Sequence, residues 1–236
     1  MSNPYFRFKQ FTVFHDRCAM KVGVDGVTLG AWTNVWEARS ILDVGCGSGL
    51  IALMLAQRSS AEITAIDMDE ACVIQARENV ENSPWKNKIS VIHSSLQQFA
   101  QTPAKPFDLI VSNPPFFVNS LKNPSSARAA ARHNDTLSHE DLILCAKKLL
   151  ADKGRLCVIS PIAEGNCFMD EAEKEGLFCA EKTTVFPNLQ KPAKRLLLEF
   201  RKEKSDCRIS DVTIEKERGI YTDKYREMVK DFYLKL

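Results

Sequence analysis

The chain has 236 residues, 44% hydrophobic and 26% charged, which suits a globular protein with a substantial core. A formal net charge of +2 is nearly silent about partners, since it does not exclude clustered basic groups. No run of roughly 18 apolar residues offers a membrane span, and residues 1–7 lack the apolar core of a signal peptide, so a cytoplasmic location is expected.

From residue 40 the chain alternates short β-branched runs with stretches of helical period. Strands are expected at 40–44, 62–66, 88–93, 107–112 and 155–160, and helices at about 50–58, 70–81 and 138–151. Ser138 with Asp141 makes a capping-type start for the third of these helices, and Gly154 follows its end. A helix at 167–175 and strands at 178–185 and 195–200 come next. Residues 186–192 read as a loop, so the last two strands are expected to pair antiparallel at a sheet edge. Residues 201–206 read as a charged surface turn and 223–234 as a terminal amphipathic helix. Apolar strands separated by helices imply an α/β fold, a mostly parallel sheet covered on both faces.

The eight cysteines are scattered, with no pair spaced for zinc or a redox motif, and the four histidines are equally dispersed. Neither a metal site nor a disulfide is expected, and the cysteines read as small buried hydrophobes.

Two strand ends carry the chemistry. The first is Asp43-Val44-Gly45-Cys46-Gly47-Ser48-Gly49. Glycines there permit a sharp turn and let the backbone approach a ligand with no Cβ in the way. The helix that follows adds unpaired N–H groups and the positive end of its dipole. Asp67 closes the next strand, where sheets of this kind meet a ribose and a carboxylate accepts its hydroxyl hydrogens. A dinucleotide fingerprint needs a glycine at the sixth position, and Leu50 stands there.

The second is Asn113-Pro114-Pro115-Phe116, directly after the fourth strand. An exocyclic amine conjugated with a ring is a poor nucleophile because its lone pair is delocalised. Two acceptors aimed at its two hydrogens draw it toward a tetrahedral shape. The Asn113 side-chain oxygen and the Pro114 carbonyl can supply both, with Pro114 and Pro115 restricting the backbone and Phe116 available to stack on a base. No general base is needed before attack; rate comes from alignment and from stabilising the positive charge that grows on nitrogen.

The glycine turn resembles motif I of the S-adenosylmethionine-dependent methyltransferases. The pair of motifs resembles the amino methyltransferases that act on adenine, cytosine or glutamine amide nitrogen. Four further stretches, 8–11 with 15–23, 25–32, 52–58 and 82–85, together with Phe232-Tyr233-Leu234, are similar to the bacterial tRNA (adenine-37-N6)-methyltransferases specific for valine tRNA. That resemblance covers nearly the whole chain. It implies a Rossmann-like class I methyltransferase domain with a seven-stranded sheet. Residues 1–39 would lie over the cofactor and substrate mouth, 40–204 would form the catalytic core, and 205–236 would be a C-terminal extension. It implies S-adenosylmethionine as cofactor and N6-methylation of the adenine 3′ of the anticodon. Asp43 would then order the turn and receive the cofactor's ammonium, directly or through water. Ser95 would lie by the adenine of the cofactor, where families of this type usually place Asp. Residues 23–32 would pack over the methionine moiety with Thr28 as a polar contact, or else simply build core through Val27, Leu29 and Trp32.

For a tRNA anticodon arm, the sequence offers Arg7, Lys9, Arg17 and Lys21 near the start, a basic run over 191–208, and Lys122, Arg128 and Arg132 after the Asn-Pro-Pro-Phe motif. A monomer is expected. Two other classes remain open. One is a glutamine N5-methyltransferase acting on release factors, which carries a helical N-terminal domain and Tyr after the prolines, whereas residues 1–39 and Phe116 stand here. The other is a cofactor-binding RNA chaperone without catalysis, against which Asn113 and Pro114 argue.

Overall fold

The computed structural model describes residues 3–102, 105–115 and 137–236. A nine-stranded sheet forms the centre. Its strands, in chain order, are β3 (Ser40–Val44), β4 (Glu62–Asp67), β5 (Ile89–His93), β6 (Phe107–Ser112), β7 (Leu150–Pro161), β8 (Phe178–Asn188), β9 (Arg195–Arg201), β10 (Arg208–Glu217) and β11 (Ile220–Tyr221). They lie in the order β11-β10-β8-β9-β7-β6-β3-β4-β5. A separate hairpin of β1 (Tyr5–Arg7) and β2 (Thr12–Phe14) precedes them.

β5, β4, β3, β6 and β7 run parallel, and β9 pairs antiparallel with both β7 and β8. The expected antiparallel pair is therefore present. The sheet continues past it, with β10 parallel to β8 and β11 antiparallel to β10, giving nine strands where seven were expected. Residues 186–188, read as loop, belong to β8 and take part in that extension.

Alternation along the parallel strands divides the core into two layers. Ile41, Ile63, Ala65, Leu109 and Val111 face one way, onto α1 (Val24–Trp32), α2 (Leu50–Arg58) and α3 (Glu70–Glu81). Leu42, Val44, Ile66, Ile110 and Val158 face the other way, onto α5 (His139–Leu149) and α6 (Ile162–Lys174). Short α4 (Leu96–Phe99) follows β5, and α7 (Asp223–Val229) ends earlier than the helix expected to reach residue 234.

Local chemistry sets the helix starts. Asp69 accepts from the Ala71 amide at 2.9 Å to begin α3, and Ser138 accepts from the Asp141 amide at 3.0 Å to begin α5, as its sequence predicts. α1 has no side-chain cap and is held by packing instead. Gly26 and Gly30, one turn apart, bring it against α2: a Cβ on Gly26 would stand 3.0 Å from Leu50 Cδ2, and one on Gly30 2.9 Å from Met54 Sδ. Arg58, at the last turn of α2, donates to the Gly30 and Thr33 carbonyls at 2.9 and 2.7 Å and so closes the end of α1.

Candidate active site

The carboxyl ends of β3 to β6 open into one cavity of about 750 Å³. Strand order reverses at β3, which has β4 on one side and β6 on the other, and crevices at such reversals receive ligands in open α/β sheets. The cavity is lined by Gly45, Cys46 and Gly47 after β3, Asp67 at the end of β4, Ser95 after β5, and Asn113, Pro114 and Pro115 after β6. The fold thus brings together both motifs read from the sequence.

The glycine turn is shaped by its surroundings. Gly45 and Gly47 have φ of +69° and +53°, and a Cβ on either would project into open space. Such a backbone, strained for other residues and with nothing opposite, fits a ligand lying against it. Gly49 differs. Its φ is +80°, but a Cβ there would stand 3.3 Å from Ala76 Cβ, and it does not line the cavity. It allows α2 to approach α3.

Asp67 braces the turn. Its Oδ2 accepts from the Gly47 amide at 2.8 Å and its Oδ1 from the Asp69 amide at 2.9 Å. A carboxylate has about four acceptor directions, so two remain for a ligand. Asp43 is fully buried and is not part of the lining. Its Oδ2 accepts from the Ala52 amide at 3.0 Å in the first turn of α2, while its Oδ1 has no hydrogen-bond partner among the described residues. Burial pushes its carboxyl up to about 7. The loop-ordering role expected of Asp43 thus has a visible contact, and direct contact with a ligand in the cavity does not.

Where the hydroxyls bond corrects the expectation for Thr28 and adds a second role for Ser95. Thr28 is buried in α1, donates to the Val24 carbonyl at 2.7 Å and meets the Tyr225 hydroxyl at 3.2 Å. It faces α7 and does not line the cavity, so of the two readings of residues 23–32 it belongs to core packing. Val24, Asp25 and Gly26 of the same segment do form cavity wall. Ser95 lines the cavity, but its hydroxyl accepts from the Gln98 amide at 3.2 Å and the Gln98 side chain returns a bond to the Ser95 amide, a capping box that starts α4.

Asn113 carries the most telling atom. Its Oδ1 is buried and has no hydrogen-bond partner among the described residues. A buried acceptor left unpaired costs about 1–3 kcal/mol, so its partner is expected in a ligand. Ser112 just before it donates to the Val44 carbonyl at 3.0 Å and ties the end of β6 to the strand before the glycine turn. Phe116, Lys122, Arg128 and Arg132 lie outside the described residues.

Sequence reasoning put residues 1–39 over the mouth without naming contacts there; within that segment, residues 18–22 line the cavity. That segment is anchored by buried amides of α3. Asn79 accepts from the Phe14 amide and donates to the carbonyls of Phe14 and Ser48, at 2.9, 2.8 and 2.9 Å, and Gln75 accepts from the Arg17 amide at 3.3 Å. Cys18, Cys46 and Cys72 also line the cavity, and burial raises each thiol above its ordinary range. They remain neutral thiols, poorly suited to nucleophilic catalysis. Among the described residues no cluster suits a metal ion, and no helix is long and apolar enough to cross a membrane.

Much of the basic run at 191–208 is neutralised within the fold. Arg195 pairs with Asp25, Arg201 with Glu199, Lys204 with Glu173 and Arg208 with Glu181. Arg17 pairs with Glu78. Arg7, Lys191 and Lys194 form no ion pair among the described residues.

Comparison with known proteins agrees with this geometry. Residues 29–166 match the methyltransferase small domain model. A protein of Trichodesmium erythraeum (strain IMS101), named tRNA1(Val) (adenine(37)-N6)-methyltransferase, is 50% identical over the full length of both chains. A Parabacteroides distasonis protein of the same name is 47% identical, also over both full lengths. The crystal structure of a predicted O-methyltransferase, protein Atu636 from Agrobacterium tumefaciens, shares the fold with a TM-score of 0.66 at 20% identity, over 88% of this chain and 96% of that one. The chain belongs to the tRNA1(Val) (adenine(37)-N6)-methyltransferase family of class I methyltransferases.

Proposed function

We propose that this protein methylates N6 of adenine 37 in the anticodon loop of a valine tRNA, with S-adenosylmethionine as cofactor. The observation that carries the reading is the unpartnered Asn113 Oδ1, buried at a strand end that shares its cavity with the glycine turn.

Bound S-adenosylmethionine supplies an electrophilic methyl group on a sulfonium centre. Open space over Gly45 and Gly47 suits a nucleoside held close to the backbone, and Asp67 has acceptor capacity left for ribose hydroxyls. Asn113 Oδ1 and the Pro114 carbonyl would each accept one hydrogen of the adenine amine. Both acceptors favour the pyramidal, partly cationic nitrogen over the flat conjugated one, so they act on the transition state more than on the bound substrate. The proton leaves after attack, so no buried base is called for. Phe116 is suited by type to stack on the extruded base. We read the working unit as a monomer, acting as a single domain on cytoplasmic tRNA, with residues 1–39 over the mouth.

The test is to incubate total tRNA with the protein and labelled S-adenosylmethionine, then digest to nucleosides. N6-methyladenosine should appear in a valine isoacceptor, and Asn113→Ala should lower the rate about a hundredfold or more while leaving the fold intact. Label found only in protein would point to glutamine methylation and overturn the reading.

A further inference from the structure

A second cavity, of about 470 Å³, lies beside the first. Val22, Gly23 and Val24 line both, so one short stretch of chain separates them. The second is lined by three aromatic rings, Phe6 of β1, Tyr221 of β11 and Tyr233 near the C-terminus, with Arg7 and Lys235 and no carboxylate. The rings are set against one another. Tyr221 and Tyr233 stack with centroids 5.9 Å apart at 16°, and Phe6 lies 5.8 Å from Tyr233 and 4.7 Å from Phe8. Phe6 is nonetheless 37% exposed, although Phe8 beneath it is 1% exposed. A large ring held on a packed aromatic base with one side open is a stacking platform. Two cations with no ion-pair partner among the described residues stand beside it.

The geometry points to a nucleotide subsite: this groove takes an unpaired base of the RNA adjacent to the one being methylated, stacked on Phe6, with Arg7 and Lys235 on the flanking phosphates. Aromatic platforms beside basic side chains bind single-stranded RNA because every base offers a π-face and every linkage a negative charge. An extruded adenine leaves its neighbours unstacked, and such a neighbour needs a surface close to the reaction cavity. Shared walls provide that closeness. An apolar peptide would use the rings but leave both cations without a counter-charge.

The inference rests on the RNA methylation reading, and the test separates the two. Full-length valine tRNAs carrying an abasic residue immediately 5′ or immediately 3′ of the target adenine are compared with intact tRNA, measuring N6-methyladenosine formation and tRNA binding in parallel. With the unaltered protein, one of the two abasic tRNAs should bind about tenfold more weakly. Phe6→Ala should weaken intact tRNA by a similar factor and then be indifferent to that abasic position. Arg7→Ala with Lys235→Ala, both exposed, should lower the salt dependence of tRNA binding by about 0.7 for each phosphate that is no longer neutralised. Cofactor binding should be unchanged in these variants. If the unaltered protein methylates tRNA but Phe6→Ala responds to both abasic tRNAs as the unaltered protein does, and the double variant keeps its salt slope, the groove is not a nucleotide subsite. Failure of the unaltered protein to form N6-methyladenosine in any tRNA overturns the methylation reading and the subsite with it. Should Phe6→Ala fail to fold, the double variant and the abasic series decide the matter.

Discussion

At the scale of the residue, Asp43 has a consequence that can be measured in the protein without ligands. An unfolded Asp ionises near 3.9, whereas burial moves Asp43 to about 7 in the folded chain. Between those values the folded state retains a proton that the unfolded state has released, so stability falls as pH rises through that window and levels off above it. The slope from this one group is at most about 1.4 kcal/mol per pH unit. Asp43→Asn, which keeps an acceptor for the Ala52 amide, should flatten the fall in Tm from pH 5 to 8; parallel curves for the two proteins would remove Asp43 from this role. The sequence made this residue visible as the acid before a glycine turn, and made Asn113 visible through the two prolines behind it. It offered no means of telling that Thr28 faces Tyr225, because that partner lies far along the chain and is brought in by tertiary packing. The cap made by Ser95 is different: Ser95 with Gln98 three residues on is a capping-box spacing that a local reading could have caught.

At the scale of the element, two glycines of one turn should fail in different ways. Gly47→Ala imposes a strained φ and puts a methyl group into the open space of the cavity, so cofactor Kd should rise at least about tenfold. Gly49→Ala presses a methyl group onto Ala76 and should lower stability by about 1–3 kcal/mol, seen in urea unfolding without ligand. If Gly47→Ala bound cofactor normally, the turn would not be the cofactor's seat. Gly30→Ala should cost a similar 1–3 kcal/mol by driving α1 off Met54. Helix α1 illustrates what periodicity cannot reveal. Its two glycines lower helix propensity by about 1 kcal/mol each, and no capping residue marks its start. The packing against α2 compensates, and that packing is invisible in a local window. By contrast α2, α3, β3 and β6 were legible to the residue, because apolar period, caps and turn glycines all agree there.

At the scale of the whole molecule, the join between the parallel half of the sheet and its extension is electrostatic as well as apolar. Glu199 of β9, 4% exposed, accepts from Arg201 at 2.7 and 2.9 Å and pairs with Arg155 of β7 at 3.5 Å. Removing the carboxylate leaves a buried guanidinium uncompensated, so Glu199→Ala should cost about 3–5 kcal/mol in chemical denaturation; a loss under about 1 kcal/mol would show that water reaches the site. The parallel core was legible from its strand-helix alternation, while β10 was not. Only Val212 of that strand is buried, and its place comes from backbone pairing with β8, which leaves little hydrophobic trace. The amide of Asn79, finally, holds Phe14 of the first hairpin and Ser48 of the glycine turn on one side chain. One side chain thus links the glycine turn to the hairpin that carries Phe6, and any coupling it carries between the two must be reciprocal: whatever factor a bound nucleoside added to the affinity for RNA, RNA would return to the nucleoside.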